Sequence, residues 1–386
     1  MPDDSLLYPT SFIASLPPRL PWDLRPLPKL LSSEYRDSEV ERLERWYREL
    51  QSNEKEELKI RLRSLSLRDF YSAYYELMTA RIALKIKASS VEHAAPLGNL
   101  RPDLKIAFPA GAQHIWEVAT AFQPRERAFD DDRAHELART LSEMFEHTWG
   151  VVLSATKFGT GGISLKKARP IITRWLERLD RGGDRHLALR RSVIDCEMHL
   201  NAYRLRDRVK PALIIVGLMG QGGKLDASER IRSVLRKKTR KYASLKELGL
   251  PLSVFVYEGD WLHISPWSVE GAIWGKQQVI FKLGEKELLP AVDDGGLFLP
   301  GPDGLPQNRG LSAVVYGKRV FYQDKVYASL RVYHHPYALC PVSDDCFDDI
   351  PQCRTTFNSE GFEKHWNYDP GDEADQGRPN RVVLLE

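Results

Sequence analysis

Cysteine is scarce in this sequence. Four Cys in 386 residues are too few for a disulfide framework, which excludes the cross-linked scaffolds of small secreted domains and fits a reducing cytoplasm. Long apolar runs are missing as well. The longest, around Ala212–Met219, falls far short of the roughly 20 residues that a membrane-spanning helix needs. The opening Met1-Pro-Asp-Asp carries neither a basic nor an apolar segment. No secretory leader is therefore expected, and the chain reads as cytoplasmic with no membrane partner. No charge of one sign dominates: 56 Lys and Arg stand against 53 Asp and Glu, for a net of +3. A protein coated in positive charge is thereby excluded, and any nucleic-acid surface must come from local clustering.

What is present is the balance of an ordinary globular protein, with 42% hydrophobic and 28% charged residues. The length allows two domains and a sizeable core. Texture divides the chain in three. Residues 1–60 combine a proline-rich arm (Pro17-Pro18, Pro21, Pro26, Pro28) with a Glu/Arg/Lys-dense helix carrying a weak apolar stripe through Val40, Leu43, Trp46, Tyr47 and Leu50. That pattern predicts a solvated surface helix. Over 61–258 helical and strand patterns alternate, which predicts an α/β or α+β core. Over 259–386 short apolar runs are broken by Gly, Pro and Asp, which predicts a β-rich second domain or extension.

The chemistry centres on a hairpin. Asp103-Leu-Lys-Ile-Ala-Phe108 alternates polar and apolar residues, Pro109–Gln113 reads as a turn, and His114-Ile-Trp-Glu-Val-Ala119 alternates again. Pairing Phe108 with His114 sets Lys105 opposite Glu117 and Asp103 opposite Ala119, so that 103, 105, 117 and 119 share one face. Asp103 and Glu117 become diagonal neighbours, with Cβ atoms about 7–8 Å apart. Two carboxylates at that reach can share one divalent cation, and hard oxygen ligands suit Mg²⁺ or Mn²⁺. Such a cation would activate a water and offset the charge that builds on a phosphodiester. A hairpin Asp and Glu without further context are ordinarily just solvated.

Arg101-Pro-Asp103 followed by Trp116-Glu117-Val-Ala-Thr120 resembles the paired motifs of the PD-(D/E)XK nuclease-like superfamily, and in particular a bacterial branch whose second motif ends in Glu-x-(Ala or Thr). Further segments follow in the order of that branch. They are a helix over Phe70–Lys87 carrying Glu76, a helix over Ile231–Tyr242 leading into Pro251–Tyr257, and then Ala272–Gly275, Leu311–Val315 and His335–Pro341. The resemblance spans about residues 65–341. It implies a restriction-endonuclease-like mixed sheet flanked by helices, metal-dependent hydrolysis of DNA (RNA less so), and a setting such as bacterial defence. Asp103 and Glu117 would bind the metal with Glu76 assisting as a third acidic ligand, and Thr120 would close the motif.

Where the superfamily motif has a lysine, this chain has Ala119. Two residues could replace it, Lys105 on the hairpin and Lys238 on the later helix. Lys238 shares the stripe of Ile231, Val234, Leu235, Tyr242 and Leu245. An ammonium on a packing face either reaches a carboxylate cluster or phosphate, or lays its stem along the core and rises to water. Glu76, among Ala73, Ala80 and Ala83, either approaches the hairpin or pairs with an arginine. The helix bearing Lys238 is strongly basic, and Arg236, Lys237, Arg240 and Lys241 are the candidates for phosphate-backbone contacts. A second basic cluster holds Arg185, Arg190 and Arg191. The alternative function is a core that lost catalysis with its lysine and binds nucleic acid or a protein partner.

Other motifs do not support a site. Gly220-Gln-Gly-Gly-Lys224 has Leu225 where a phosphate-binding loop needs Ser or Thr. Cys340, Cys346 and Cys353 with His334 and His335 contain no Cys-x-x-Cys knuckle for zinc.

Overall fold

The computed structural model describes residues 6–16, 27, 30–31, 36–50, 55–121, 147–156, 167–189, 197–209, 214–216, 227–259, 264–281, 288–292, 295–301, 303–322, 325–358, 361–368 and 382–385. In chain order the elements begin with helices α1 (Thr10–Ser15), α2 (Arg36–Glu49), α3 (Lys55–Leu62) and α4 (Leu67–Lys85). Strands β1 (Ser90–His93), β2 (Leu104–Ala107), β3 (Gln113–Ala121) and β4 (His147–Thr156) follow, then α5 (Ala168–Leu179). Next come β5 (His186–Leu189), β6 (Glu197–Val209), β7 (Ile214–Val216), α6 (Ala227–Lys241), β8 (Leu252–Glu258) and α7 (Pro266–Ile273). The last are β9 (Gln277–Phe281), β10 (Leu288–Val292), β11 (Ala313–Tyr322), β12 (Lys325–His334), β13 (Gln352–Asn358), β14 (Gly361–Trp366) and β15 (Val382–Leu384). The fold is mixed α/β, as the alternating patterns predict.

Two compact units emerge. The larger joins Met1–Ser15, Ser33–Phe122 and Asp226–Glu386, and the smaller joins Leu16–Ser32 with Gln123–Leu225. The larger is built on a sheet of order β1-β2-β3-β8-β11-β12-β13-β14, with β15 added beside β12. β8 runs parallel to both β3 and β11, while β1-β2-β3 and β11-β12 are antiparallel. β3 and β8 are buried on both faces over most of their length, as expected of strands covered on each side.

The two faces of β3 carry different cores. Ile115, Ala119 and Ala121 pack with Val254 and Val256 against Ile231, Leu235 and Tyr242, so α6 covers this face. Trp116 and Val118 alternate to the other face, where Trp116 meets Phe255 and Tyr257 stacks on Tyr75 of α4 with centroids 4.4 Å apart. The Tyr257 and Thr79 hydroxyls share a hydrogen bond of 2.9 Å. α4 starts at Ser66, whose hydroxyl accepts from the Asp69 amide, and then buries Phe70, Ala73, Tyr74, Leu77 and Met78.

Three expectations change. The division at 61–258 and 259–386 is not the one the chain makes. The strands after 259 continue the sheet through β8-β11, and 123–225 separates instead. A strand buried on both edges needs backbone partners on each side, and here the second partner comes from about sixty residues later in sequence. The charged helix α2 is not simply solvated either. Leu43, Trp46 and Tyr47 are buried together with Glu39, Arg42 and Glu44. The Trp46 indole donates to the Leu385 carbonyl at 3.1 Å, and Glu44 accepts the Tyr8 amide at 2.7 Å. Most of the proline-rich arm, including Pro17 to Pro26, lies outside the described residues.

The smaller unit has a four-stranded sheet, β5-β6-β4-β7. α5 lays Ala168, Ile172, Trp175, Leu176 and Leu179 on Trp149, Leu153, Met198 and Leu200, the spacing of a helix with one apolar face. Among the described residues, no helix is long and apolar enough to cross a membrane.

Candidate metal and nucleic-acid site

The hairpin forms with a register two residues away from the expected one. A short 3₁₀ turn, Pro109–Gly111, closes it, with the Phe108 amide donating to Ala112 O at 2.8 Å and Gly111 at φ 81°. Leu104 therefore pairs with Trp116 and Ile106 with His114. A shift of two preserves which face each side chain occupies. Continued by one residue, this register sets Asp103 directly against Glu117.

The two carboxylates are latched to each other's backbone. The Asp103 amide donates to Glu117 Oε1 at 2.9 Å, and the Val118 amide donates to Asp103 Oδ2 at 2.8 Å. Lys238 reaches across from α6. Its ammonium donates to Asp103 Oδ2 at 3.2 Å and also to Glu117 Oε2. Of its two possible directions, then, Lys238 takes the one toward the carboxylates. The Glu117 side chain is 0% exposed, while Asp103 and Lys238 keep 21% and 22%. Burial and the neighbouring Asp103 charge raise the Glu117 pKa, against the opposing pull of Lys238. For Lys238, burial lowers the pKa but the two carboxylates outweigh it, and the ammonium holds its proton above the usual lysine range.

Glu76 lies on α4 and lines a cleft of about 130 Å³ together with Asp103, Arg61, His93 and Arg101. Arg61 of α3 clasps it with both guanidinium nitrogens, Nη1 to Oε1 at 2.7 Å and Nη2 to Oε2 at 2.5 Å. Both readings of Glu76 are thus met in part: it approaches the hairpin and it pairs with an arginine. Burial, with Asp103 nearby, lifts its pKa to about 7 even though Arg61 and Lys238 pull it down. Sequence reasoning missed Arg61 and His93. His93 has a buried Nε2 with no hydrogen-bond partner among the described residues, and burial lowers its pKa to about 4.

Comparison with known proteins returns no match. No family model, no curated protein and no solved structure is similar to this chain. The likeness to PD-(D/E)XK nucleases therefore rests on the sequence motifs.

Two candidates fall away from the centre. Lys105 shares the Glu117 face but stands opposite Ile115, and its ammonium lies 3.9 Å from Glu92. The shifted register sets it beside Glu92 and two residues away from Glu117. Thr120 sits in register with Tyr257, on the face away from Glu117, where its hydroxyl is buried. It cannot orient a ligand held between Asp103 and Glu117.

The carboxylate pair does suit a hard cation. A single ammonium touches both Asp103 Oδ2 and Glu117 Oε2, so these oxygens converge on one small cationic partner. Among the described residues, no group of three His, Cys, Asp or Glu side chains is placed to hold a metal. Glu76 lines the same cleft, yet Arg61 occupies its oxygens. Mg²⁺ usually takes only one or two carboxylates from a protein and completes its shell with water and phosphate.

The basic residues of α6 turn elsewhere. Lys237, Arg240 and Lys241 are exposed, with Lys241 over the Tyr242 ring at 4.6 Å, and the half-buried Arg236 reaches toward Gly295 O at 3.5 Å. In the smaller unit Arg185 lies over the Trp149 ring at 5.6 Å, whereas Arg190 and Arg191 lie outside the described residues. So does the Gly220–Lys224 turn. Of the zinc candidates, His334 is hydrogen-bonded with Gln352 and His335 with the Gln307 carbonyl, at 2.7 and 2.9 Å.

Proposed function

We propose that this chain is a divalent-metal-dependent nuclease that hydrolyses phosphodiester bonds in DNA, RNA being the less favoured substrate. One observation carries the reading: Lys238 from α6 meets Asp103 and Glu117 on the hairpin, in place of the lysine that the second motif lacks. Asp103 and Glu117 would hold Mg²⁺ or Mn²⁺. The bound metal would supply an activated water and offset the charge growing on the scissile phosphate. Lys238 brings a positive charge to the same centre, where it would steady the negative charge growing on the scissile phosphate. Arg61 holds Glu76 against the cleft. The outer face of α6, with Arg236, Lys237, Arg240 and Lys241, would follow the phosphate backbone. A role in bacterial defence is proposed by analogy alone.

A second reading draws on the balance of charge. Lys238 already compensates part of the carboxylate pair, which suits a binding module that has lost its metal. Labelled plasmid and single-stranded DNA, incubated with Mg²⁺ or Mn²⁺, separate the two. Under the nuclease reading the wild type cuts, needs the metal, and loses activity in Glu117→Ala. A wild type that shifts DNA on a gel without cutting it establishes the binding module instead.

A further inference from the structure

Lys238 stands where a metal ion would have to approach. Its ammonium touches one oxygen of each carboxylate, Asp103 Oδ2 and Glu117 Oε2, and the second oxygen of Glu117 accepts the Asp103 amide at 2.9 Å. The Asp103 Oδ2 atom also accepts the Val118 amide at 2.8 Å. Two carboxylates with one ammonium leave a single formal negative charge to attract a divalent cation. Mg²⁺ gives up its hydration water reluctantly, so one net charge is a weak lure.

For a metal to bridge the pair, Lys238 must release at least one of those oxygens. The freed ammonium then needs another anion, because an unpaired charge in this half-buried position is costly. Of the other carboxylates that line the cleft, Glu76 is held by Arg61 on both oxygens and Glu57 lies 3.6 Å from Arg101. Lys237, Arg240 and Lys241 on the same helix are cations themselves. Asp103 opens onto the cleft that Arg61, Arg101 and His93 also line, and the partly exposed Lys238 ammonium lies 3.2 Å from Asp103 Oδ2, within reach of an anion bound beside it. The anion that nucleic acid brings is a phosphodiester.

We infer that Lys238 is a built-in counter-cation that makes metal binding depend on nucleic acid: the phosphate draws the ammonium off the carboxylates as the metal takes its place. This inference rests on the nuclease reading above. Coupling of this kind is reciprocal, so the metal must tighten nucleic-acid binding by the same factor that nucleic acid tightens metal binding.

The test is Mn²⁺ binding to the full chain, followed by electron paramagnetic resonance of the free ion. It is run without and with a phosphorothioate oligonucleotide, whose own Mn²⁺ uptake is subtracted. Wild-type protein is expected to bind Mn²⁺ at least about tenfold more tightly with the oligonucleotide than without it. Lys238→Met is expected to bind Mn²⁺ alone at least about tenfold more tightly than wild type, with the oligonucleotide adding little. Circular dichroism checks that Lys238→Met folds, with Lys238→Gln as the second variant, and a folded variant that binds Mn²⁺ no more tightly than wild type overturns the inference. Equal wild-type affinity with and without the oligonucleotide overturns the inference and leaves the metal site intact. If no Mn²⁺ binds under any condition, the inference and the nuclease reading fall together.

Discussion

Two ionic clusters of the larger unit differ in their access to a cleft. At the first, Arg42 Nη1 donates to Glu39 Oε1 at 2.6 Å, while Arg319 Nη1 donates to the Tyr74 hydroxyl at 2.8 Å and lies 3.6 Å from Glu39 Oε2. Both guanidiniums face Glu39, and guanidiniums do not surrender their protons. At the second, two carboxylates share one ammonium, and Asp103 opens onto a cleft. Glu39 and Arg42 do not line that cleft. Buried charge is therefore not by itself the mark of a site in this molecule. The first cluster ties α2 and α4 to β11. The second keeps a negative surplus within reach of solvent.

The contrast breaks if removing a carboxylate has the same effect in both places. Glu117→Ala is expected to slow metal-dependent plasmid cleavage by about 1,000-fold, the several kcal/mol that a displaced metal represents. Glu39→Ala is expected to lower stability by about 3 kcal/mol in urea unfolding, since it removes the carboxylate that buried Arg42 meets at 2.6 Å, while the folded protein cuts at the wild-type rate. Glu39→Ala protein that is stable but inactive would erase the distinction.

A smaller effect sharpens it through pH. The Glu76 pKa rises from 4.5 to about 7, first through burial and then through Asp103. A raised carboxyl stabilises the fold fully below its ordinary pKa, and that contribution is lost as pH climbs through about 7. His93 runs the other way, because burial lowers it from 6.5 to about 4. Its contribution is present above 6.5 and lost as pH falls toward 4. The two slopes oppose each other in the mildly acidic range, and only Glu76 still titrates near neutrality. Melting temperatures of wild type and Glu76→Gln should therefore diverge as pH rises through about 7, with wild type losing stability. Parallel curves would mean that the Arg61 clasp keeps Glu76 ionised throughout.

The smallest effect belongs to the outer face of α6. Lys237→Ala and Arg240→Ala should each weaken DNA binding severalfold and reduce the slope of log affinity against log salt by about 1. An unchanged slope would remove this face from the interface.

Much of the site was legible because strands and helices have fixed periods. Alternation along 103–108 and 114–119 put Asp103 and Glu117 on one face, and helical spacing from Val234 to Tyr242 put Lys238 toward the core. The register was not legible. It hung on whether Pro109–Gly111 would tighten into a 3₁₀ turn, and the two-residue difference is what removed Lys105. Arg61 left no local trace, since its partner lies fifteen residues on and meets it only when α3 packs on α4. The burial of α2 was foreshadowed by Leu43, Trp46 and Tyr47, but the density of Glu and Arg around them suggested a wet helix. The joining of β11 to β8 depends on a non-local pairing that periodicity cannot reveal.

The crossed bonds between Asp103 and Glu117 also act as a proofreading device for the hairpin. Slipped by two residues, the strands would keep every side chain on its proper face and bury the same apolar groups, so hydrophobicity could not tell the two alignments apart. Asp103 would then stand against Ala119, and the bonds from the Asp103 and Val118 amides would be lost. The pair of acids proposed as metal ligands thus also selects one alignment of the chain over its nearest imitation.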